Sequence, residues 1–215
     1  MTIHDITPRI TASLAVWPGD TPPSREVLLD IAAGANITLS TLRSTVHLGA
    51  HADAPSHYAA GGRTIDEQPL ARYLGACQVV RVSVPPRTRV TAEDVPQRIT
   101  AERVLFCTRT VPDTEAFNQD FAALAPDLVD RLHERGVRLV GIDTPSVDLF
   151  DDRQLLSHAR CFAHDIAILE GLVLHEVPEG IYELIALPLA LSGFDASPVR
   201  AILRTLPTPI PRVGD

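Results

Sequence analysis

The chain has 215 residues, 45% of them hydrophobic, which predicts one folded domain over residues 1–215 with a sizeable core. All 19 basic side chains are arginine, and the absence of lysine excludes Schiff-base, pyridoxal-phosphate and P-loop chemistry. With 27 acidic side chains the formal net charge is −8, which argues against a nucleic-acid-binding protein. The sequence has no signal-peptide pattern and no apolar run of membrane-spanning length, so we expect a cytoplasmic protein.

The hydrophobic patterns predict a series of short elements along the chain. Strands are predicted over residues 26–33, 36–46, 76–84 and 103–107. A helix that begins at Pro126 and ends at Gly136 leads into a strand over residues 137–142. Residues 152–160 are predicted to be helical, and residues 181–187 and 198–205 to be strands. Strands outnumber helices, so we predict a mixed α/β domain built around sheets.

The segment over residues 47–57 is rich in groups that bind metals. Its chemically capable side chains all have odd numbers: His47, His51, Asp53 and His57. Because successive side chains of an extended chain point to opposite faces, these four would project into one cavity. A helix would separate them, and Gly49 and Pro55 disfavour a helix. Two imidazoles and a carboxylate form a common catalytic zinc site, whereas four polar loop residues without a ligand would have no reason to alternate with alanines.

The run H-x-G-x-H-x-D-x-P-x-H over residues 47–57 resembles the signature of the cyclase-like metal hydrolases. Residues 16–22 (V-W-P-G-D-T-P) and 166–172 (I-A-I-L-E-G-L) are similar to the bacterial kynurenine formamidases within that family. The resemblance covers nearly the whole chain. The chain departs from it at Ala50, where most members carry threonine, which removes a hydroxyl group near the site but no ligand.

The resemblance implies a fold, an assembly and a set of site residues. The fold would be a central β-barrel-like sheet with flanking helices, of the swivelling β/β/α type, and the assembly a homodimer. Two zinc ions per subunit are implied, with manganese as an alternative. The matching ligands are His47, His51 and Asp53 for one ion, and Asp53, His158 and Glu170 for the other. His57 matches the catalytic acid/base, and Trp17 matches a residue that contacts substrate.

Two of these ligands are ambiguous from the residues alone. His158 lies near the end of a predicted helix, where a histidine commonly meets carbonyl groups, and His164 is an equally good ligand by composition. Only the resemblance selects His158. Glu170 closes an apolar run, so its carboxylate either emerges into solvent or meets a cation.

Other candidate residues follow turns and strand ends. Trp17, the only tryptophan, is either a packing residue or a flat wall for an aromatic substrate. Asp143 and Asp148 follow a predicted strand, and we interpret them as acceptors for turn amides rather than as site residues.

The resemblance implies zinc-dependent hydrolysis of N-formyl-L-kynurenine to L-kynurenine and formate, a step of tryptophan degradation by the kynurenine pathway. No G-x-S-x-G elbow is present, so the sequence does not support a serine-hydrolase route. One alternative is a sister hydrolase that acts on another small amide or on a cyclic amide such as isatin. A second is a non-catalytic metal-binding module. An amino-acid substrate would have to present its carboxylate to an arginine, in this chain or in a partner chain, or to the metal.

Overall fold

The computed structural model describes residues 1–95 and 98–206. The strands are β1 (Ile3–Asp5), β2 (Ser24–Leu29), β3 (Leu39–Arg43), β4 (His51–Asp53), β5 (Leu74–Arg81), β6 (Arg89–Val90), β7 (Arg103–Cys107), β8 (Ala123–Leu124), β9 (Leu139–Ile142), β10 (Ala167–Glu170), β11 (Gly180–Ile185), β12 (Ala196–Pro198) and β13 (Ile202–Thr205). The helices are α1 (Pro55–Tyr58), α2 (Pro126–Glu134) and α3 (Leu156–Ala163), and short 3₁₀ turns occupy Ile31–Ala33, Ile65–Glu67, Leu70–Arg72 and Ala92–Asp94.

Nine strands form one strongly curled sheet, a half-barrel, in the order β1-β13-β11-β5-β7-β9-β10-β4-β12. The central strands β5, β7, β9 and β10 are parallel, and the strands on either side pair antiparallel. This arrangement confirms the predicted mixed α/β class, with few helices around a sheet. No helix in the described ranges is long and apolar enough to cross a membrane.

The central strands are buried on both faces. Strand β7 directs Val104 and Phe106 to the core beneath α2, where they meet Leu132, and directs Leu105 and Cys107 to the core on the opposite face. Parallel strands covered on both faces read as continuous apolar runs, which explains why β7 matches its prediction residue for residue. The buried sheet therefore supplies a rigid support for the loops at its edges.

Some predicted boundaries are wrong for local reasons. The strand predicted over residues 26–33 ends at Leu29, because the Asp30 side chain caps a 3₁₀ turn that follows it. The helix predicted over residues 152–160 occupies Leu156–Ala163 instead, because Leu155 adopts a left-handed conformation that interrupts it. The strand predicted over residues 198–205 is divided between β12 and β13.

The segment over residues 47–57 is only partly extended. Strand β4 is the extended part, and Pro55 then opens helix α1, which carries His57. The expectation that Pro55 disfavours a helix is wrong, since proline suits the first helical position, where its missing N–H would have had no partner. The residues with odd numbers are therefore brought together by a strand followed by a turn of helix, not by a single extended chain.

Strands β2 and β3 lie outside the main sheet. They pair only with each other among the described strands, and every residue of both strands is exposed. We refer to residues 24–43 as the hairpin. Its exposed apolar side chains are Val27, Leu28, Leu29, Ile31, Ile37, Leu39 and Leu42.

Candidate metal centre

Strand β4 lies between β10 and β12, and its pairing with these two strands brings the residues of the centre together. His51 stands opposite Glu170 of β10, and Asp53 stands opposite Ala196 of β12. His51 and Asp53 are two residues apart in a strand, so both side chains emerge on the same face. Both are buried, as is Glu170.

One group of possible ligand atoms surrounds Asp53 Oδ1. His47 Nδ1 lies 3.0 Å from this oxygen, and His51 Nε2 lies 3.4 Å from it. His47 is half-buried in the loop before β4, where its ring packs edge-on against that of His51. The three side chains can each offer one atom to a common cation.

A second group surrounds the other oxygen of the same carboxylate. His158 Nε2 lies 3.4 Å from Asp53 Oδ2 and 3.6 Å from Glu170 Oε1. The two groups also meet through Glu170, since its Oε2 lies 3.4 Å from His51 Nε2. Asp53 and Glu170 therefore face both groups, as bridging ligands of a binuclear centre would.

The residues fit divalent cations by spacing and by charge. Ligand atoms bound to a tetrahedral ion at about 2.0–2.1 Å lie roughly 3.3–3.4 Å apart, close to the spacings between these side chains. Asp53 Oδ1 is buried and makes no hydrogen bond to any described residue, which is costly for a carboxylate without a cation.

The buried carboxylates also make the site strongly cation-attracting. Burial alone lowers the pKa of His51, but Asp53 and Glu170 raise it to about 10. Burial likewise lowers the pKa of His158, while Asp148 and Asp53 raise it to about 10. A metal ion would take the place of the protons that these carboxylates otherwise draw onto the imidazoles.

Each buried imidazole is held by its second nitrogen. His51 Nδ1 lies 2.8 Å from the carbonyl oxygen of Gly49, and His158 Nδ1 lies 2.8 Å from Asp148 Oδ2. Asp148 also accepts the amides of Ser157 and His158 in the first turn of α3. These hydrogen bonds lower the pKa of Asp148 well below its usual range despite its burial, so it stays ionised while it orients His158.

His57 and Asp195 complete the polar cluster beside the centre. Asp195 Oδ2 lies 2.9 Å from His47 Nε2 and 3.4 Å from His57 Nδ1. The His57 side chain is 37% exposed, against 5% for His51, so His57 faces open space rather than the buried carboxylates. Its position suits an acid/base better than a buried ligand.

The centre opens into a cavity of about 1330 Å³. Trp17 lines it, with its ring centroid 5.4 Å from that of Phe117 and 5.0 Å from that of Phe150. The cavity lies where β7, β9 and β10 end, and Arg109, Asp143 and Glu170 at those three ends all line it. Ligands of open α/β sheets bind at the carboxyl ends of parallel strands.

Comparisons with known proteins identify the family. The Cyclase family model matches residues 4–149, more than half of the chain. A structure described as a potential metal-dependent hydrolase with cyclase activity is 31% identical over 94% of this chain and 96% of its own, with a TM-score of 0.82. The "predicted metal-dependent hydrolase from Bacillus stearothermophilus" is 31% identical over 94% and 97%, with a TM-score of 0.78. The chain belongs to the Cyclase family.

Isatin hydrolase A from Labrenzia aggregata, bound to benzyl benzoate, shares the fold of this Cyclase-family chain. It is 21% identical over 95% of this chain and 94% of its own, with a TM-score of 0.79. These relatives and the buried ligand groups support metal-dependent hydrolysis as the general chemistry of this member of the Cyclase family.

Within this Cyclase-family fold, the two histidines between which the sequence does not choose lie in different places. His158 lies in the centre, whereas His164 binds Asp130 at 2.7 Å and stacks on His133 of α2. The alternative of a solvated Glu170 is wrong, since only 3% of this residue is exposed.

Sequence reasoning missed two carboxylates that support the Cyclase-family centre. Asp148 does accept turn amides, as does Asp143 through Thr108 and Arg109, but Asp148 also holds His158. The position of Asp148 ahead of a predicted helix was the only feature of the sequence that could have indicated this role. Asp195 had no such feature, because it reaches His47 through the pairing of β12 with β4.

Gly171→Ala should disrupt the centre through the backbone. Gly171 has φ +65°, and a Cβ there would overlap the carbonyl oxygen of Gly49, which orients His51. We expect the free energy of unfolding to fall by about 3 kcal/mol or more, with weaker metal binding, because strain and overlap add. The matched control is Gly136→Ala, at φ +80° with no atom near the new Cβ, which should cost about 1–2 kcal/mol. Equal losses in a denaturant titration would contradict the overlap.

Proposed function

We propose that this protein hydrolyses N-formyl-L-kynurenine to L-kynurenine and formate, a step of tryptophan degradation by the kynurenine pathway in the cytoplasm. The observation that carries the proposal is the shared carboxylate of Asp53 between two ligand groups, whose other members line a cavity walled by Trp17 and Phe117. The cavity and the half-exposed His57 also disfavour a non-catalytic metal module, since structural zinc sites are usually closed.

Two divalent cations, zinc or alternatively manganese, would be held by the two ligand groups. His47, His51 and Asp53 would hold one, and Asp53, His158 and Glu170 the other. When bound, such ions supply an activated water and a Lewis acid for the formyl oxygen.

Side chains of the protein would donate the proton to the leaving group and contact the aryl ring of the substrate. With Nδ1 of His57 directed at Asp195, its Nε2 is left to donate a proton to the departing aryl amine as general acid. The same Asp195 oxygen accepts from His47, so one carboxylate fixes the orientation of a ligand and of the acid. Trp17, tilted against Phe150, offers a flat surface for the aryl ring.

A second candidate is the opening of a cyclic amide, favoured by the fold shared with isatin hydrolase A. Purified protein would be assayed for formate release from N-formyl-L-kynurenine and for the ring opening of isatin, with metal content measured in parallel. Formate release with two metals per chain supports the proposal. Isatin turnover alone supports the second candidate, and bound metal without hydrolysis of either compound supports the metal module.

We also propose that the chain forms a homodimer through the hairpin. An isolated two-stranded sheet is at best marginally stable, and apolar patches of this kind commonly mark protein contacts. Leu42 is 62% exposed, so Leu42→Asp should shift the chain from dimer to monomer in sedimentation experiments. The matched control is Leu70→Asp, at a leucine 57% exposed outside the hairpin, which should leave the dimer intact. A monomeric parent chain would contradict this assembly.

A further inference from the structure

The cavity contains a cationic group that the proposed chemistry leaves unassigned. Arg9 and Arg109 are the two arginines that line it, and both are exposed. Within the described ranges, neither guanidinium forms an ion pair with a carboxylate. A guanidinium without an ion-pair partner is available to an anionic ligand.

Of the two arginines, Arg109 is held in place by more hydrogen bonds. Its backbone N–H donates to Asp143 Oδ2 at 2.9 Å, and its guanidinium donates to the carbonyl oxygen of His175 at 3.2 Å. These bonds join the loop after β7 to the loops after β9 and β10, all of which line the cavity. No hydrogen bond from the Arg9 side chain to a described residue orders that guanidinium. A guanidinium already fixed loses less entropy when it binds a carboxylate.

The backbone of Arg109 is held in an unusual conformation. Its φ is +59°, in the left-handed region that an arginine rarely adopts. Asp143 maintains this conformation, because its carboxylate accepts the amides of both Thr108 and Arg109. Asp143 accepts these amides and forms no ion pair with the guanidinium of Arg109. Strain of this kind is often retained where it places a functional side chain.

The position of Arg109 matches a substrate with two separated functional groups. Strands β7 and β10 are separated by β9, so their ends lie about 10 Å apart, twice the interstrand spacing of ~4.8 Å. Glu170 ends β10 in the metal centre, and Arg109 follows the end of β7. An aryl ring with a short acyl chain spans such a gap. The amide would then lie at the centre while a carboxylate at the other end reaches Arg109.

We propose that Arg109 binds the carboxylate of the substrate, so that the enzyme selects anionic aryl amides over neutral ones. This inference rests on the proposed function for the identity of the reacting amide, but the binding preference can be measured without turnover. Trp17, the single tryptophan, lies in the cavity wall and reports occupancy by its fluorescence. The probes are 4-oxo-4-phenylbutanoate and its neutral carboxamide, which differ in charge and share an aryl ketone.

The wild-type protein should bind the anion at least about tenfold more tightly than the carboxamide, as expected for a charge-assisted hydrogen bond. Arg109→Asn should abolish this preference, and asparagine tolerates the left-handed backbone at that position. Arg109→Lys keeps the charge but loses the planar guanidinium, so it should retain part of the preference for the anion. This variant provides the test if Arg109→Asn does not fold. Arg9→Asn should retain all of the preference.

Three results would overturn the assignment: equal binding of both probes by the wild type, an unchanged preference in Arg109→Asn, or loss of the preference in Arg9→Asn instead. Carboxylate binding to the metal would give the second result. Formate release from N-formyl-L-kynurenine and from formanilide is measured in parallel. No release from either amide contradicts the proposed function alone, whereas equal release from both, unaltered in Arg109→Asn, contradicts the role of Arg109.

Discussion

Replacing Asp53 by asparagine should empty the metal centre and lower turnover by at least about a thousandfold, because several kcal/mol of charge stabilisation depend on the metal. Asp53 directs one oxygen to each ligand group and belongs to both sets of possible ligands, so its loss removes a ligand from each. The substitution conserves the volume of a fully buried side chain, which limits the effect on packing. Metal content and the rate of formate release would be measured on the same preparations.

Stability gives a second measurement of the same loss. A metal at about 1000 times its Kd stabilises a folded protein by about 4 kcal/mol, so the wild type should unfold at higher temperature with zinc than with a chelator. Asp53→Asn should show no such difference. The matched control is Asp130→Asn, which removes a carboxylate bound to His164 and Arg160 outside the centre and should retain metal-dependent stabilisation. Stoichiometric metal in Asp53→Asn would show that the carboxylate is not shared.

Replacing His57 by alanine should also reduce turnover, by about a hundred- to ten-thousandfold, but should leave the metal content complete. His57 is the most exposed histidine of the cluster, and it approaches Asp195 rather than Asp53 or Glu170. Its loss therefore removes a proton donor and leaves the ligand groups complete. Metal analysis together with kcat separates this result from that of Asp53→Asn.

The alternative role of His57 is that of a metal ligand. His57, His47 and Asp195 could together hold a cation, and if they do, His57→Ala would lower metal content in proportion to activity. The control His164→Ala removes an imidazole that stacks on His133 and should alter neither quantity. Loss of metal in His57→Ala alone would reassign His57 as a ligand.

Patterns in the sequence predicted the parts of the fold that depend on local interactions. Strand β7 and helix α2 were recognisable because burial on two faces and amphipathic spacing leave long, regular signals. Pro126 before α2 was identified as a helix start, yet Pro55 before α1 was not, since a helix of one turn leaves no periodicity to detect. The short strands β1, β6 and β8, of two or three residues each, were missed for the same reason.

In the candidate site, too, residues that lie close together in sequence were predictable, and residues brought together by long-range pairing were not. His47, His51 and Asp53 are close in sequence, so their spacing alone indicated a shared face. Asp195 joins them only because β12 pairs with β4, and such long-range pairing has no local signature. The choice of His158 over His164 depended on resemblance, since both lie within a few residues of one another around α3.

Asp148 has a consequence for how this protein can change over time. The same carboxylate starts helix α3 and aligns the imidazole of His158, ten residues further along the chain. An insertion or deletion in the first turn of α3, ahead of His158, would rotate the histidine about the helix axis by about 100° per residue, away from Asp53. The start of α3 is therefore fixed relative to His158, and we expect relatives to differ there by substitutions rather than by gaps.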